Sequence, residues 1–164
     1  MKIFAHRGFS GIAPENTMAA FERAVAIKAD GIETDVHLCK DGKVVICHDE
    51  TVNRTTNGSG PIGELTFEEL QGFDAGSWFS PEFSKERIPA LEDLLKLVGK
   101  TDLILNIELK TDKVHYPGIE AKVLALLKEY GLVEQTIISS FNFQSLTNIK
   151  ALLPELATAA LFKD

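Results

Sequence analysis

Short β-type runs and amphipathic helical runs take turns along this chain. A strand candidate at residues 2–5 leads straight into His6-Arg7-Gly8. Ala13-Pro14-Glu15-Asn16-Thr17 then reads as a helix start, with Met18, Phe21 and Val25 following at helical spacing. Ala29-Asp30-Gly31 closes that segment, and residues 32–38 alternate apolar and polar side chains as a strand does. Asp41-Gly42 signals a two-residue hairpin, with residues 44–48 as the returning strand. Further on come a helix at Leu91–Val98, a strand at 103–109 and a helix at 118–130 that Gly131 ends. A strand at 136–139, a helix at Phe143–Leu152 and a strand at 157–162 complete the series. This order predicts an α/β fold, a parallel sheet with helices packed outside it.

Residues 50–88 break the rhythm. Thr55-Thr56-Asn57-Gly58-Ser59-Gly60-Pro61 is loop chemistry, Thr66-Phe67-Glu68-Glu69 fits a capping box before a short helix, and Trp78, Phe79 and Phe83 lie among Gly, Ser and Pro. The stretch reads as an insertion within one domain spanning residues 1–164. Outside it the pattern gives five parallel strands and one hairpin partner. A closed eight-stranded α/β barrel takes about 250 residues. The 164 residues therefore make either a smaller open sheet or the first five strands of a barrel.

Composition narrows the function classes. With 45% hydrophobic residues the chain can fill a core, and its net charge of −7 argues against nucleic acid, whose binding rests on cationic neutralisation of phosphates. No run approaches the roughly 20 apolar residues of a membrane span. The first residues are polar by His6, so no secretory signal is expected, and the two cysteines, Cys39 and Cys47, are too few for a disulfide scaffold. The expectation is a cytoplasmic protein.

Strand parity places the chemistry. Side chains alternate faces along a strand, so Glu33, Asp35 and His37 share one face while Ile32, Thr34 and Val36 share the other. A two-residue hairpin loop pairs Lys40 with Lys43, which sets His48 opposite Asp35 and Cys47 opposite Val36. On that register the two thiols fall on opposite faces, as buried structural cysteines. Leu103, Leu105, Ile107 and Leu109 form one face of the next strand and pack on helices, while Asn106, Glu108 and Lys110 point the other way. A parallel strand is covered on both faces, so the inward Glu and Lys need partners such as a metal and an anion.

Glu33, Asp35 and Glu108 thus converge at the strand C-termini, where α/β barrels carry their sites; the alternative is a set of separate surface acids. Crowded carboxylates repel unless a cation neutralises them, and an all-oxygen set suits Mg²⁺ or Ca²⁺ better than Zn²⁺. Arg7 can bind phosphate oxygens bidentately, and His6 and His48 at strand ends make a candidate acid–base pair. His37 and His115 lack such company and read as core or solvated histidines.

His6-Arg7-Gly8 with Ala13-Pro14-Glu15-Asn16-Thr17, then Gly31-Ile32-Glu33-Thr34-Asp35-Val36, then His48-Asp49-Glu50 with Arg54-Thr55-Thr56, then Asn106-Ile107-Glu108-Leu109-Lys110, together resemble the glycerophosphodiester phosphodiesterase family. The resemblance runs through essentially the whole chain, with four blocks in the family's order and spacing. It implies a TIM-type (β/α)8 barrel with a small insertion after the second strand, here covering about its first five strands. It implies hydrolysis of a small-molecule glycerophosphodiester to glycerol 3-phosphate and an alcohol. His6 and His48 become the acid and base, Glu33, Asp35 and Glu108 the ligands of one divalent cation, and Arg7 and Lys110 the phosphate contacts. Two alternatives stand beside this activity. One is a lysophospholipase D-like diesterase, with Trp78, Phe79, Phe83 and Phe141 placed to line an acyl groove. The other is a non-catalytic fragment that binds a phosphate ligand or a partner. A sheet left open exposes unpaired backbone at its edges, which invites self-association.

Overall fold

The computed structural model describes residues 1–162. Six strands and five α-helices follow one another as β1 (Phe4–His6), α1 (Met18–Ala26), β2 (Gly31–Leu38), β3 (Val44–Ile46), α2 (Phe67–Gln71), α3 (Leu91–Val98), β4 (Ile104–Leu109), α4 (Ile119–Glu129), β5 (Thr136–Ser140), α5 (Phe143–Leu152) and β6 (Ala157–Ala160). The alternation read from the sequence is therefore the observed architecture, with strand ends moved by one or two residues.

The sheet runs β1-β2-β4-β5-β6, all parallel, and β3 pairs antiparallel with β2 beyond the stretch that β1 occupies. Its outward face is apolar. Ile32 and Val36 of β2, and Leu105, Ile107 and Leu109 of β4, pack with Phe21 of α1, Leu94 and Leu95 of α3, and Val123 and Leu127 of α4 in one buried cluster. In α3 the cluster takes Leu91, Leu94, Leu95 and Val98, and in α4 Ile119, Val123 and Leu127, spacings of three and four that turn one stripe to the sheet. Burial of this stripe drives the assembly, at about 1.5–3 kcal/mol for each large side chain removed from water.

Local chemistry sets the helix starts. The Thr17 hydroxyl caps α1 by accepting from the Ala20 N–H, and Thr66 and Glu69 form the expected reciprocal capping box on α2. Between β1 and α1 the chain turns sharply, with Arg7 at φ 57° and Gly8 at φ 76°. A Cβ on Gly8 would lie 2.7 Å from the backbone carbon of Ala20, so glycine lets this loop lie directly on α1.

The hairpin departs from expectation. Cys39 N–H donates to Lys43 O at 3.0 Å and Gly42 N–H to Cys39 O at 2.9 Å, so the loop holds three residues, Lys40, Asp41 and Gly42. Only Gly42 of the three takes a positive φ, 78°. A two-residue loop would need Asp41 left-handed as well; instead a turn followed by a left-handed glycine forms the three-residue alternative. The Asp41 carboxylate holds that geometry by accepting from the Phe67 N–H at 3.1 Å, which ties the hairpin tip to the start of α2. The register becomes Val36↔Ile46, one residue off the expected pairing. Cys47, not His48, consequently lies opposite Asp35, its N–H donating to Asp35 O at 3.1 Å. Cys39 and Cys47 then share one buried cluster with Val45, Val52 and Ile62, rather than occupying opposite faces. Both thiols are free, as expected.

Residues 50–88 are largely irregular, with α2 as their one α-helix. Val52, Ile62, Leu70, Ala75 and Ile88 bury together beside β3, and Phe83 buries against Ala13 and Ala20. No helix of the described residues is long and apolar enough to cross a membrane.

Candidate active site

Register brings the acids together. β2 and β4 align Asp35 with Glu108, and β1 and β2 align His6 with Glu33. Glu33, Asp35 and Glu108 each offer a carboxylate oxygen within 4.8 Å of the others, as strand parity predicted. Asp35 is 1% exposed and Glu108 8%. Asn16 donates to Asp35 Oδ2 at 2.9 Å and itself accepts from the Thr34 hydroxyl at 3.0 Å. The other oxygen, Asp35 Oδ1, is buried with no hydrogen-bond partner. Burial, then the Glu33 charge, push the Asp35 carboxyl up to about 7; burial foremost also raises Glu33. An orphaned buried oxygen among three carboxylates is the environment that a hard divalent cation neutralises, so these residues fit a bound metal.

Cationic and imidazole groups border the acids. Lys110 Nζ donates to Glu108 Oε1 at 2.9 Å and lies 3.9 Å from Asp35 Oδ1. Arg7 donates through its backbone N–H to Glu33 Oε2 at 3.1 Å and through Nη1 to Glu15 Oε1 at 3.0 Å. Its Nε is buried, 3.7 Å from Asp35 Oδ2 and without a hydrogen-bond partner. His6 stands at the end of β1 with its side chain 67% exposed and Nε2 3.7 Å from Glu33 Oε2. Burial of the remainder, then the Arg7 charge, hold its pKa below the usual value.

His48 reaches this region by another route than the one parity suggested. β3 stops at Ile46, so strand alternation no longer dictates where His48 points. His37 Nε2 lies 3.3 Å from the His48 carbonyl and fixes its backbone, while Asp49 Oδ1 lies 2.8 Å from His48 Nδ1. His48 remains near enough for its charge to act on Asp35. His37 is the core histidine expected: fully buried, bonded to the Tyr116 hydroxyl at 2.9 Å, and held by burial at a pKa of about 4. His115 is exposed.

Four residues that residue-by-residue reasoning passed over also belong here: Glu15, Asn16, Asp49 and Arg54. Glu15 accepts from both Arg7 and Arg54, and Arg54 also grips Asp49. Each sits inside one of the motif blocks, which was the available signal. Of the four aromatics placed for an acyl groove, Phe83 is buried, and Trp78 and Phe79 stack edge to face with centroids 5.8 Å apart, Trp78 43% exposed.

A parallel α/β sheet thus carries an acidic cluster that could hold a metal ion, with two guanidiniums, a lysine and two histidines around it, an arrangement of the α/β enzyme class. The model of the Glycerophosphoryl diester phosphodiesterase family matches residues 6–164, and the chain belongs to that family. A protein of Caldanaerobacter subterraneus named glycerophosphodiester phosphodiesterase is 50% identical over 161 residues, covering 98% of this chain and 66% of that one. A Bacillus altitudinis protein of the same name is 46% identical, over 99% of this chain and 67% of its own length. Among solved structures, an Oleispira antarctica phosphodiesterase in complex with the product sn-glycerol-3-phosphate superposes with a TM-score of 0.88 at 38% identity, covering 98% of this chain and 65% of that one. The chain thus spans about two thirds of the length of these relatives.

Proposed function

We propose that this protein hydrolyses glycerophosphodiesters to glycerol 3-phosphate and an alcohol. The observation that carries the reading is the Glu33–Asp35–Glu108 cluster with its orphaned Asp35 oxygen, flanked by Arg7 and Lys110. Family membership supports it, as does the product named for the Oleispira antarctica structure.

Glu33, Asp35 and Glu108 would hold one divalent cation, Mg²⁺ or Ca²⁺ by the chemistry of an all-carboxylate set. Bound there, the cation supplies Lewis-acid stabilisation of charge on a phosphoryl oxygen. Arg7 and Lys110 draw the phosphate in, since Arg7 Nε is left without a hydrogen-bond partner 3.7 Å from Asp35 Oδ2 and Lys110 has two donors beyond its bond to Glu108. His6 and His48 carry the proton transfers, one taking a proton from the attacking hydroxyl or water and the other giving one to the leaving alkoxide. The five parallel strands are the first five of a TIM-type (β/α)8 barrel with residues 50–88 inserted, a reading that the structural likeness supports. The free thiols of Cys39 and Cys47 suit a reducing, cytoplasmic setting.

The test is release of choline by the purified chain, from glycerophosphocholine with glycerol 3-phosphate as co-product and, alongside, from lysophosphatidylcholine with lysophosphatidate as co-product, with EDTA and then with Mg²⁺ or Ca²⁺ restored. Product that vanishes with EDTA and returns with metal is the expected result. Release only from the lysophospholipid would replace the substrate. No release under any metal, from a chain that still binds the ion, would leave a phosphate-binding protein without turnover.

A further inference from the structure

Arg54 lies outside the acidic cluster, yet it makes the densest set of ionic hydrogen bonds on this face. Its Nε and Nη2 donate to Asp49 Oδ2 and Oδ1 at 2.8 and 2.9 Å. Its Nη2 and Nη1 donate to Glu15 Oε1 and Oε2 at 2.8 and 3.0 Å. Four of the five guanidinium N–H groups are thereby used in two planar forks, the arrangement that a guanidinium holds most rigidly. The two carboxylates belong to different loops. Glu15 precedes α1 and also receives Arg7 Nη1 at 3.0 Å; Asp49 follows β3 and lies 2.8 Å from His48 Nδ1.

An ionised carboxylate only accepts hydrogen bonds, so His48 Nδ1 carries the proton in this contact and Nε2 is left to exchange one with a ligand. A flexible, solvated Asp49 would impose that tautomer weakly. Held by both oxygens, it becomes a fixed acceptor. Arg54 stays put in turn because Glu15 clamps its far side, and Glu15 is packed down, its side chain 14% exposed against 46% for Arg54.

We propose that Arg54 is a positioning residue that locks Asp49 onto His48 Nδ1 and so fixes the His48 tautomer. The inference rests on the proposed diesterase reading for its catalytic consequence, whereas the tautomer is a property of the chain itself. The arrangement also couples His48 to Arg7 through one guanidinium, so the proton-transfer group and the phosphate contact share an anchor.

The test is ¹⁵N-detected NMR of the histidine rings in the full chain at a pH where His48 is neutral, together with steady-state kinetics on glycerophosphocholine. Wild-type His48 should show the Nδ1–H tautomer. Arg54→Gln should convert it to a mixture or to Nε2–H and lower kcat about 10–100-fold, as removing an outer partner of an oriented histidine does. Arg54→Lys, with one ammonium in place of two forks, should fall between them. Asp49→Ala gives the same readout if Arg54→Gln does not fold, because it removes the acceptor and spares the Arg54–Glu15 fork. A wild-type tautomer in the folded variants overturns the proposal, as does a changed tautomer with kcat unaltered. A wild-type chain without turnover sinks the diesterase reading, and the NMR arm alone then decides for or against Arg54.

Discussion

Asp35 and Glu108 stand side by side in the register of β2 and β4, and the Asp35 oxygen that Asn16 does not hold has no hydrogen-bond partner. Two buried carboxylates in that position would destabilise the metal-free protein and favour a bound cation, for the same electrostatic reason. Glu108→Gln separates the two effects. It should raise the melting temperature of the EDTA-treated chain while weakening Mg²⁺ or Ca²⁺ binding roughly 10–100-fold, at about 1.4 kcal/mol per tenfold. Calorimetric titration and thermal melts with and without metal check it. A variant that binds the ion as tightly as wild type would remove Glu108 from the ligand set.

Asp35 also predicts how stability responds to pH. Its carboxyl sits at about 7 in the folded chain, through burial first and then the Glu33 and Glu108 charges, against about 3.9 in an unfolded chain. Between those values the folded state holds the extra proton. Its contribution to stability is therefore fully present below about pH 4 and is lost as pH rises toward 7. Added cation displaces that proton, so the rise in melting temperature that metal gives should grow across the same interval. Melts of the EDTA-treated and metal-loaded chain from pH 4.5 to 8 measure the difference. A metal-induced shift that does not change with pH would contradict the assignment.

These two residues were legible in the sequence because a strand's period of two leaves no freedom about which side chains share a face. That parity puts Glu33 with Asp35 on one face of β2, and Glu108 on one face of β4 opposite the apolar Leu105, Ile107 and Leu109, while the β2–β4 register sets Glu108 beside Asp35. His48 did not follow, because its position turned on one backbone angle. Asp41 kept a negative φ, the loop took three residues, and every pairing beyond it moved by one. The Arg54 clasp was illegible for a different reason. It joins Glu15 to Asp49 across separate loops, and no periodicity links residues in irregular structure. Its members were visible only as parts of motif blocks.

Gly8 tests whether the β1–α1 loop must lie on the helix to hold Arg7. Gly8→Ala places a Cβ 2.7 Å from the Ala20 backbone at a φ of 76°, so backbone has to move. The expected loss is about 2 kcal/mol or more, or roughly 4–8 °C in melting temperature. Because Arg7 is the preceding residue, KM for the diester should rise as well. A variant as stable as wild type would mean that the loop has room that this structure does not give it.

The sheet's two ends bear on how the chain behaves in solution. β1 and β6 close the strand order, and among the described residues neither pairs with a further strand on its outer side. Near β6, Phe143 and Phe162 pack against each other at 5.4 Å while remaining 52% and 75% exposed, and Leu152 is 52% exposed. Near β1, Ile3 is 62% exposed. Unpaired N–H and C=O groups beside apolar side chains form a template for another strand, and neither β1 nor β6 carries a lysine or proline within its own paired residues to blunt it. A polypeptide of these 164 residues alone should therefore self-associate at micromolar concentration, with a melting temperature that rises with concentration. Phe143→Lys puts a charge beside that edge without touching the core, and should shift the population toward monomer. Light scattering coupled to size exclusion measures both. A monodisperse monomer with a sharp, concentration-independent melt would show instead that five strands bury enough apolar surface to stand with both edges bare.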